Sequence, residues 1–446
     1  MGASMVRRSI GSVLVAGTAV ATVTLMAVDA QAGGFAVREQ STVFQGSSFA
    51  GAAAGGAPSS MFWNPATITQ TPGLVTEWDA ALIIPRAEQA ATAGFALGTL
   101  TQNTKDNTAA WSFAPSGYAT WQVLPTIWLG LSVNSPFGLG TNFQNTWPGR
   151  DYALTSTLRT YNAAPTIAWQ VNEWLSVGAG VQVQYASADL NLGLPGLTLP
   201  SLNLHGTGWG YGFTAGATVT LSPNTRIGLG WRSFIDQDIK GNLATPPGLA
   251  ATTPGPISTT VKLPDVVSLG IRHRVNEQWT LLATAEWTNW SRIGTSNVNQ
   301  DNGLQAVLGG QALVLPFQFR DGWFVSGGFE YTQGGPWTLR AGGAYEQSPI
   351  TDSVRIPLLP DNDRVWGSLG ISYVIFPGAT LDLAYTHIWV RDTHIDISAA
   401  SGNPWFTSFS GLLGTYIGDV NSSVDIISFG LRWQWSQPPA AVVTKG

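Results

Sequence analysis

A chain of 446 residues with only 11% charged side chains, against about 25% in a soluble domain, lacks the surface of an ordinary water-soluble protein. Its mean hydropathy of +0.10, with 52 glycines and 20 tryptophans, excludes a disordered chain, which would be charged and poor in aromatics. A net charge of -5 without a basic stripe excludes a nucleic-acid binder, and the lack of cysteine excludes a disulfide scaffold.

The N-terminus has the layout of an export signal. Arg7 and Arg8 precede an uncharged stretch from Ile10 to Val28, and Ala30-Gln31-Ala32 fits a small-residue cleavage site before Gly33. Residues 1–32 are therefore expected to be a signal peptide. A membrane anchor is the alternative, since the stretch is long enough to span. After residue 32 no apolar run of about 18 residues occurs, so no further transmembrane helix is expected. Residues 33–73 follow, without helical or strand period and ending in the segment GGAPSSMFWNPATITQTPG.

From residue 74 the dominant signal has period two. In WLSVGAGVQVQY, Leu175, Val177, Ala179, Val181, Val183 and Tyr185 share one face, and Ser176, Gly178, Gly180, Gln182 and Gln184 the other. WGYGFTAGATVTL and IISFGLRWQW alternate in the same way. A soluble sandwich would alternate too. Here the strands run to about 10–13 residues, aromatics gather at strand ends, and short connections alternate with long ones, as in an outer-membrane barrel. The short connections lie at 171–174, 222–225, 275–279, 333–337 and 376–380, the long ones at 191–206, 241–257, 292–316 and 397–422. The count is about 14 strands, centred near 80, 116, 130, 164, 180, 214, 231, 267, 284, 325, 341, 369, 385 and 429. Pro115, Pro125 and Pro136 interrupt the second and third. The fold class is thus all-β, an antiparallel transmembrane barrel over 74–435 with a C-terminal extension at 436–446. The aperiodic 33–73 segment cannot face lipid, because its backbone groups would go unpaired there, so it is expected inside the barrel as a plug.

Little points to reaction chemistry. His205, His273, His387 and His394 have no metal-ligand spacing, and the separation of seven between His387 and His394 places them on opposite faces of a regular strand. No metal, cofactor or catalytic residue is assigned. By parity Arg226, Arg232, Arg340 and Arg432 point inward, as do Glu286, Glu330, Glu346 and Asp382. Mutual neutralisation is the plain reading. In FEYTQGGPWTLRAGG, a Gly334-Gly335-Pro336 loop sets Glu330 directly opposite Arg340, with Tyr331 opposite Leu339 and Phe329 opposite Ala341.

The segment NPATIT before the first strand, together with GLSVNSPFGLGTNF, NAAPTIAWQVNEWLSVGAGVQVQYA, GTGWGYGFTAGATVTLSPNTRIGLGWRS, FRDGWFVSGGFEYT and LPDNDRVWGSLGISY, resembles the FadL-type outer-membrane transporters in the family's order. The resemblance implies a 14-stranded barrel with an N-terminal hatch. It also implies capture of long-chain fatty acids or aromatic hydrocarbons in outer loops, and sideways exit at a kink in the third strand. No cofactor and no nucleic acid are expected; the expected partners are a hydrophobic small molecule and outer-membrane lipid, and the chain is expected to be a monomer. The sequence departs from the pattern in two places. ASADLNLGLPG after Tyr185 lacks the basic residue that some fatty-acid transporters place near the carboxylate, and SQPPAAVVTKG runs past the last aromatic residue.

Three groups of site residues follow. Asn64, Pro65 and Ala66 should form a rigid turn in the hatch, with Phe62 and Trp63 packed on the inner wall, rather than an ordinary solvated turn. Asn134, Ser135, Pro136, Phe137 and Gly138 should break the strand ladder and form the lateral opening; the alternative is a loop at the strand's outer end. Under the resemblance, Arg320 is placed to meet a substrate carboxylate, with Asp321, Asp361, Asp363 and Arg364 bracing the lumen. A loop-base ion-pair cluster without substrate contact is the alternative. A nonspecific porin or an adhesin-like structural barrel is the rival to the transporter.

Overall fold

The computed structural model describes residues 33–95, 98–107, 111–143, 147–152, 154–193, 201–244, 255–300, 313–408 and 414–436. The expected signal peptide and all but the first residue of the C-terminal extension lie outside them. Fourteen antiparallel strands close into a barrel. They are β1 (Leu74–Phe95), β2 (Ser112–Leu124), β3 (Ile127–Asn134, resuming as Gly138–Asn142), β4 (Thr155–Gln170), β5 (Leu175–Gly193) and β6 (Ser201–Ser222). There follow β7 (Thr225–Arg232 and Ile235–Ala244), β8 (Gly255–Leu263 and Val266–Arg274) and β9 (Trp279–Thr288 and Ser296–Gln300). The last are β10 (Gly322–Thr332), β11 (Trp337–Glu346), β12 (Arg364–Phe376), β13 (Ala379–Val390 and Thr393–Ile397) and β14 (Thr415–Ser436). Each pairs with the next, and β1 pairs with β14 from Leu74↔Ser436 to Gly94↔Thr415, so no edge remains open to lipid. Every expected strand centre falls within one of the fourteen.

The faces follow the parity of the sequence. Ser176, Gln182 and Gln184 are buried in the lumen, while Val177, Val181, Tyr211 and Phe213 are exposed on the outer wall. The hairpin β10–β11 has the expected register, with Glu330 opposite Arg340. At the short-turn end of the barrel aromatics pair between neighbouring strands, as Trp279 with Tyr331 (centroids 4.7 Å apart) and Trp337 with Tyr373 (4.2 Å). These form the interfacial girdle of an outer-membrane barrel.

The long connections differ from expectation. Residues 191–193 and 201–206 are paired strand, not loop, and so are 241–244, 255–257 and 415–422. β6 and β14 each run for 22 residues, where about 9–11 cross a bilayer. Once two strands are paired, each further residue pair satisfies its backbone groups without closing a new loop, so the ladder continues beyond the membrane. The histidines are a second correction. The break at Arg391-Asp392 shifts the parity of β13, so His394 lies outward like His387, not on the opposite face.

The hatch spans the lumen. It is built of one short α-helix, Thr42–Gln45, capped by Ser41, and three 3-10 turns at Ala52–Ala54, Pro58–Phe62 and Pro65–Gln70. Phe44, Phe49 and Trp63 form its core and pack on Trp366 and Phe324 of the wall. The wall accommodates it with glycine. A β-carbon at Gly228 would lie 1.8 Å from the Ala53 carbonyl oxygen, and one at Gly230 would lie 1.8 Å from that of Trp63. The lumenal glycines of β7 are therefore among the places where hatch backbone lies directly on strand backbone.

Candidate functional site

Asn64 anchors the lower hatch. Its Oδ1 accepts from Ala66 N at 3.0 Å, which caps the Pro65–Gln70 turn. Its Nδ2 donates to Ala53 O at 2.8 Å and to Ala217 O of β6 at 2.9 Å. One side chain thus ties the turn, the rest of the hatch and the wall. Phe62 faces the wall, with the Arg232 guanidinium 4.2 Å from its ring centroid. Trp63 packs mainly on the hatch's own Phe44 and Phe49.

The third strand is interrupted as its Pro and Gly content suggests. Pairing of β3 with β2 stops at Gly117↔Val133. Against β4 the ladder runs to Asn134↔Asn162 and resumes at Gly138↔Arg159, so three residues of β3 face two of β4. Thr160 Oγ1 accepts from Phe137 N at 2.9 Å, taking over a ladder bond. The hatch fills the remaining gap. Val37 N donates to Pro136 O at 2.8 Å and Gly138 N to Phe35 O at 2.9 Å, around an Ala36–Phe137 bridge. Gln40 completes the clamp. Its Nε2 donates to Ser135 O at 2.9 Å, and its carbonyl accepts from Ser116 Oγ at 3.1 Å and Tyr118 OH at 2.5 Å.

Two cavities meet at this point. The outer one, of about 160 Å³, is walled by Leu158, Ile239 and Val261 of the barrel and by Ile356, Leu358 and Leu359 of the 347–363 loop. The inner one, of about 70 Å³, lies between Val37, Arg38 and Phe62 of the hatch and Pro136 and Phe137 of the kink. Leu263 lines both. Between them stands an aromatic partition. Phe35 is 4.9 Å from Trp290 and 6.0 Å from Phe137, and Phe137 is 6.2 Å from Trp290. No described residue lining the outer cavity is a lysine or arginine; its carboxylate, Asp189, is hydrogen-bonded to His205 at 2.6 Å.

The charged residues fall into brace-like sets. Glu330 bonds Arg340 Nε at 2.8 Å, and also Arg272. Asp382 bonds Arg432 at 2.8 Å. Arg38 of the hatch is 2.7 Å from Glu286 and 3.6 Å from Glu346, with Phe324 under its guanidinium. Asp361 bonds Arg364 and Ser348, and accepts from Gly34 N at 3.0 Å. Asp363 accepts from Tyr345 OH and Ser348 N. Asp321 accepts from Trp287 Nε1 and Ser291 N. Arg320 is half-exposed, donates to Ser348 O at 3.0 Å and lies 3.5 Å from Asp363; it lines neither cavity. Burial pushes the Glu39 carboxyl of the hatch up to about 7.

Phe35, Arg38, Gln40 and Trp290 were not singled out by sequence reasoning. The one local signal was Arg38-Glu39, a charged pair inside an uncharged, aperiodic stretch. In the 347–363 loop sequence reasoning marked Asp361 and Asp363 but not the inward fold, which depends on Arg355, buried and bonded to the carbonyls of Asp361 and Ile350.

Residues 23–434 match the family model described as outer membrane protein transport protein (OMPP1/FadL/TodX). A long-chain fatty acid transport protein of Escherichia coli O6:H1 is 26% identical over 414 residues, covering 82% of this chain and 89% of that protein. Outer membrane protein P1 of Haemophilus influenzae is 26% identical over 320 residues, 65% of this chain and 68% of that one. Among solved structures, a Pseudomonas aeruginosa FadL homologue superposes with a TM-score of 0.79 at 22% identity, covering 90% of this chain and 100% of that chain. The Ralstonia pickettii toluene transporter TbuX gives 0.64 at 18%, covering 89% and 99%. The chain belongs to the OMPP1/FadL/TodX family of outer-membrane transport proteins.

Proposed function

We propose that this transporter takes up uncharged apolar molecules of about one-ring size, acting as a monomer without a cofactor. The observation that carries this reading is the outer cavity, apolar and without a cation among its described lining residues. A carboxylate there would lose its hydration with no opposite charge in return. An apolar cavity of about 150 Å³ lined by Leu, Ile and Phe is large enough for benzene. The path runs past Phe35 into the inner cavity, then sideways between β2 and β3 at the kink. Leaving through the wall keeps the cargo's apolar surface out of water, worth about 0.8 kcal/mol per CH2. The toluene transporters and the fatty-acid transport proteins of the family frame the two substrate classes. The porin reading has no support, since residues 41–68 pack across the lumen.

Uptake of labelled toluene and labelled oleate into cells with and without the protein tests the proposal. Protein-dependent toluene uptake, with oleate at background, is expected. Oleate uptake alone would overturn it.

A further inference from the structure

Gly33 and Gly34 are buried where the hatch meets the outer ends of β11 and β12. A β-carbon on Gly33 would fall 2.5 Å from Glu346 Oε1, and Gly34 N donates to Asp361 Oδ2. Glu39 is buried beside them, within electrostatic reach of Glu346, Arg38 and Arg364; neither of its carboxylate oxygens has a hydrogen-bond partner beyond its own backbone. Glu286 joins the set through Arg38.

Four carboxylates are thus gathered: Glu39, Glu286, Glu346 and Asp361. Arg38 pairs with Glu286 and Glu346, and Arg364 with Glu346 and Asp361, while Glu39 has no hydrogen-bonded cation on either carboxylate oxygen. Water is excluded here, and a buried carboxylate without a partner is expensive. Burial raises the Glu39 carboxyl, and the neighbouring Glu346 carboxylate adds to the rise.

The sequence supplies a candidate. Hydrolysis of the Ala32–Gly33 bond by an export protease consumes one water and leaves a carboxylate on Ala32 and an α-ammonium on Gly33. We propose that this α-ammonium is a further buried cation of this carboxylate set, seated against Glu346, and that its seating holds Phe35 in the aromatic partition. Gly33 suits the position because a β-carbon there would displace the Glu346 carboxylate. Processing then completes the hatch as well as releasing the chain. The second half of the proposal rests on the transport path above; the first does not.

Protein extracted from outer membranes into mild detergent is treated with an amine-acetylating reagent at pH 7, and each amine is followed by peptide mass spectrometry. The mature chain should begin at Gly33. Carboxylates that raise an amine's pKa by one unit make its reactive fraction about tenfold smaller. The Gly33 amine should therefore react about tenfold more slowly in folded than in unfolded protein, while exposed Lys240 and Lys262 change little. Glu346→Gln should restore most of the rate. A different start residue, or equal rates in the folded and unfolded wild-type chain, would overturn the proposal; neither outcome depends on the variant assembling. Phe35 is tested by inserting one alanine before Gly33. This moves the ammonium by about 3.5 Å, and toluene leakage should rise severalfold. Unchanged uptake with a protected amine would remove Phe35 from the argument and leave the seat. No arm of the labelling experiment reads transport, so failure of the substrate assignment is separately visible.

Discussion

Glu330 sits between two guanidiniums, Arg340 on its own hairpin and Arg272 across β9. Water hardly reaches it, so the set is worth more than the 0–1 kcal/mol of an exposed pair. Glu330→Ala would leave two cations facing each other in the wall, and a loss of about 3–5 kcal/mol is expected. The shift of the urea midpoint for refolding into detergent micelles measures it. Arg340→Ala alone should cost less, because Arg272 still neutralises Glu330. Asn64→Ala poses a different case. It removes a cap and two long-range bonds at once, and should loosen the hatch by about 2 kcal/mol. Hydrogen exchange of residues 53–70 should rise while barrel amides stay protected; equal protection would show that Ala66 and its neighbours hold the turn without Asn64.

Hatch and strands meet through backbone, and that makes glycine the sensitive residue of this interface. Gly230→Val would drive a side chain into the Trp63 carbonyl, which has no rotamer to change. The barrel's own ladder is untouched, so the strands should still close while the hatch is displaced. Large conductance steps in planar bilayers are expected for Gly230→Val and none for the wild type. Gly327→Val, with nothing within 4 Å of the new carbon, is the control and should stay closed. The third strand shows a related economy. Pro136 cannot donate to a ladder, so the gap it opens is filled by hatch backbone from Phe35 to Val37. A lateral route through this gap therefore needs the hatch to move, not the barrel to unpair.

Over the whole molecule, two apolar cores stack along the barrel. One is the hatch core on the mid-barrel wall; the other joins the extended strands to the 347–363 loop around the outer cavity. Ala186, fully buried and lining that cavity, is a place to fill it. Ala186→Phe adds a ring comparable with the proposed cargo. Toluene uptake should fall by about tenfold or more, for a loss of roughly 1.4 kcal/mol or more of binding. Far-ultraviolet circular dichroism should be unchanged. Full uptake in a folded variant would place the path elsewhere.

Sequence alone determined the strand number, the inward and outward faces and the Glu330–Arg340 register. These depend on parity, and parity is local: each residue's side follows from its neighbour's. The break at Pro136 was legible for the same reason, because a missing amide needs no partner to be missed. The hatch contacts of Phe35, Arg38 and Gln40, the inward fold of the 347–363 loop and the partition at Trp290 were not legible. Each joins segments far apart in the chain, and no periodicity records which distant residue fills a gap. The outer strands were mistaken for loops, and His394 for the opposite face from His387, because polar composition and strict alternation were taken at face value. Tertiary pairing carried the ladder on, and the irregular residues Arg391 and Asp392 reset its count.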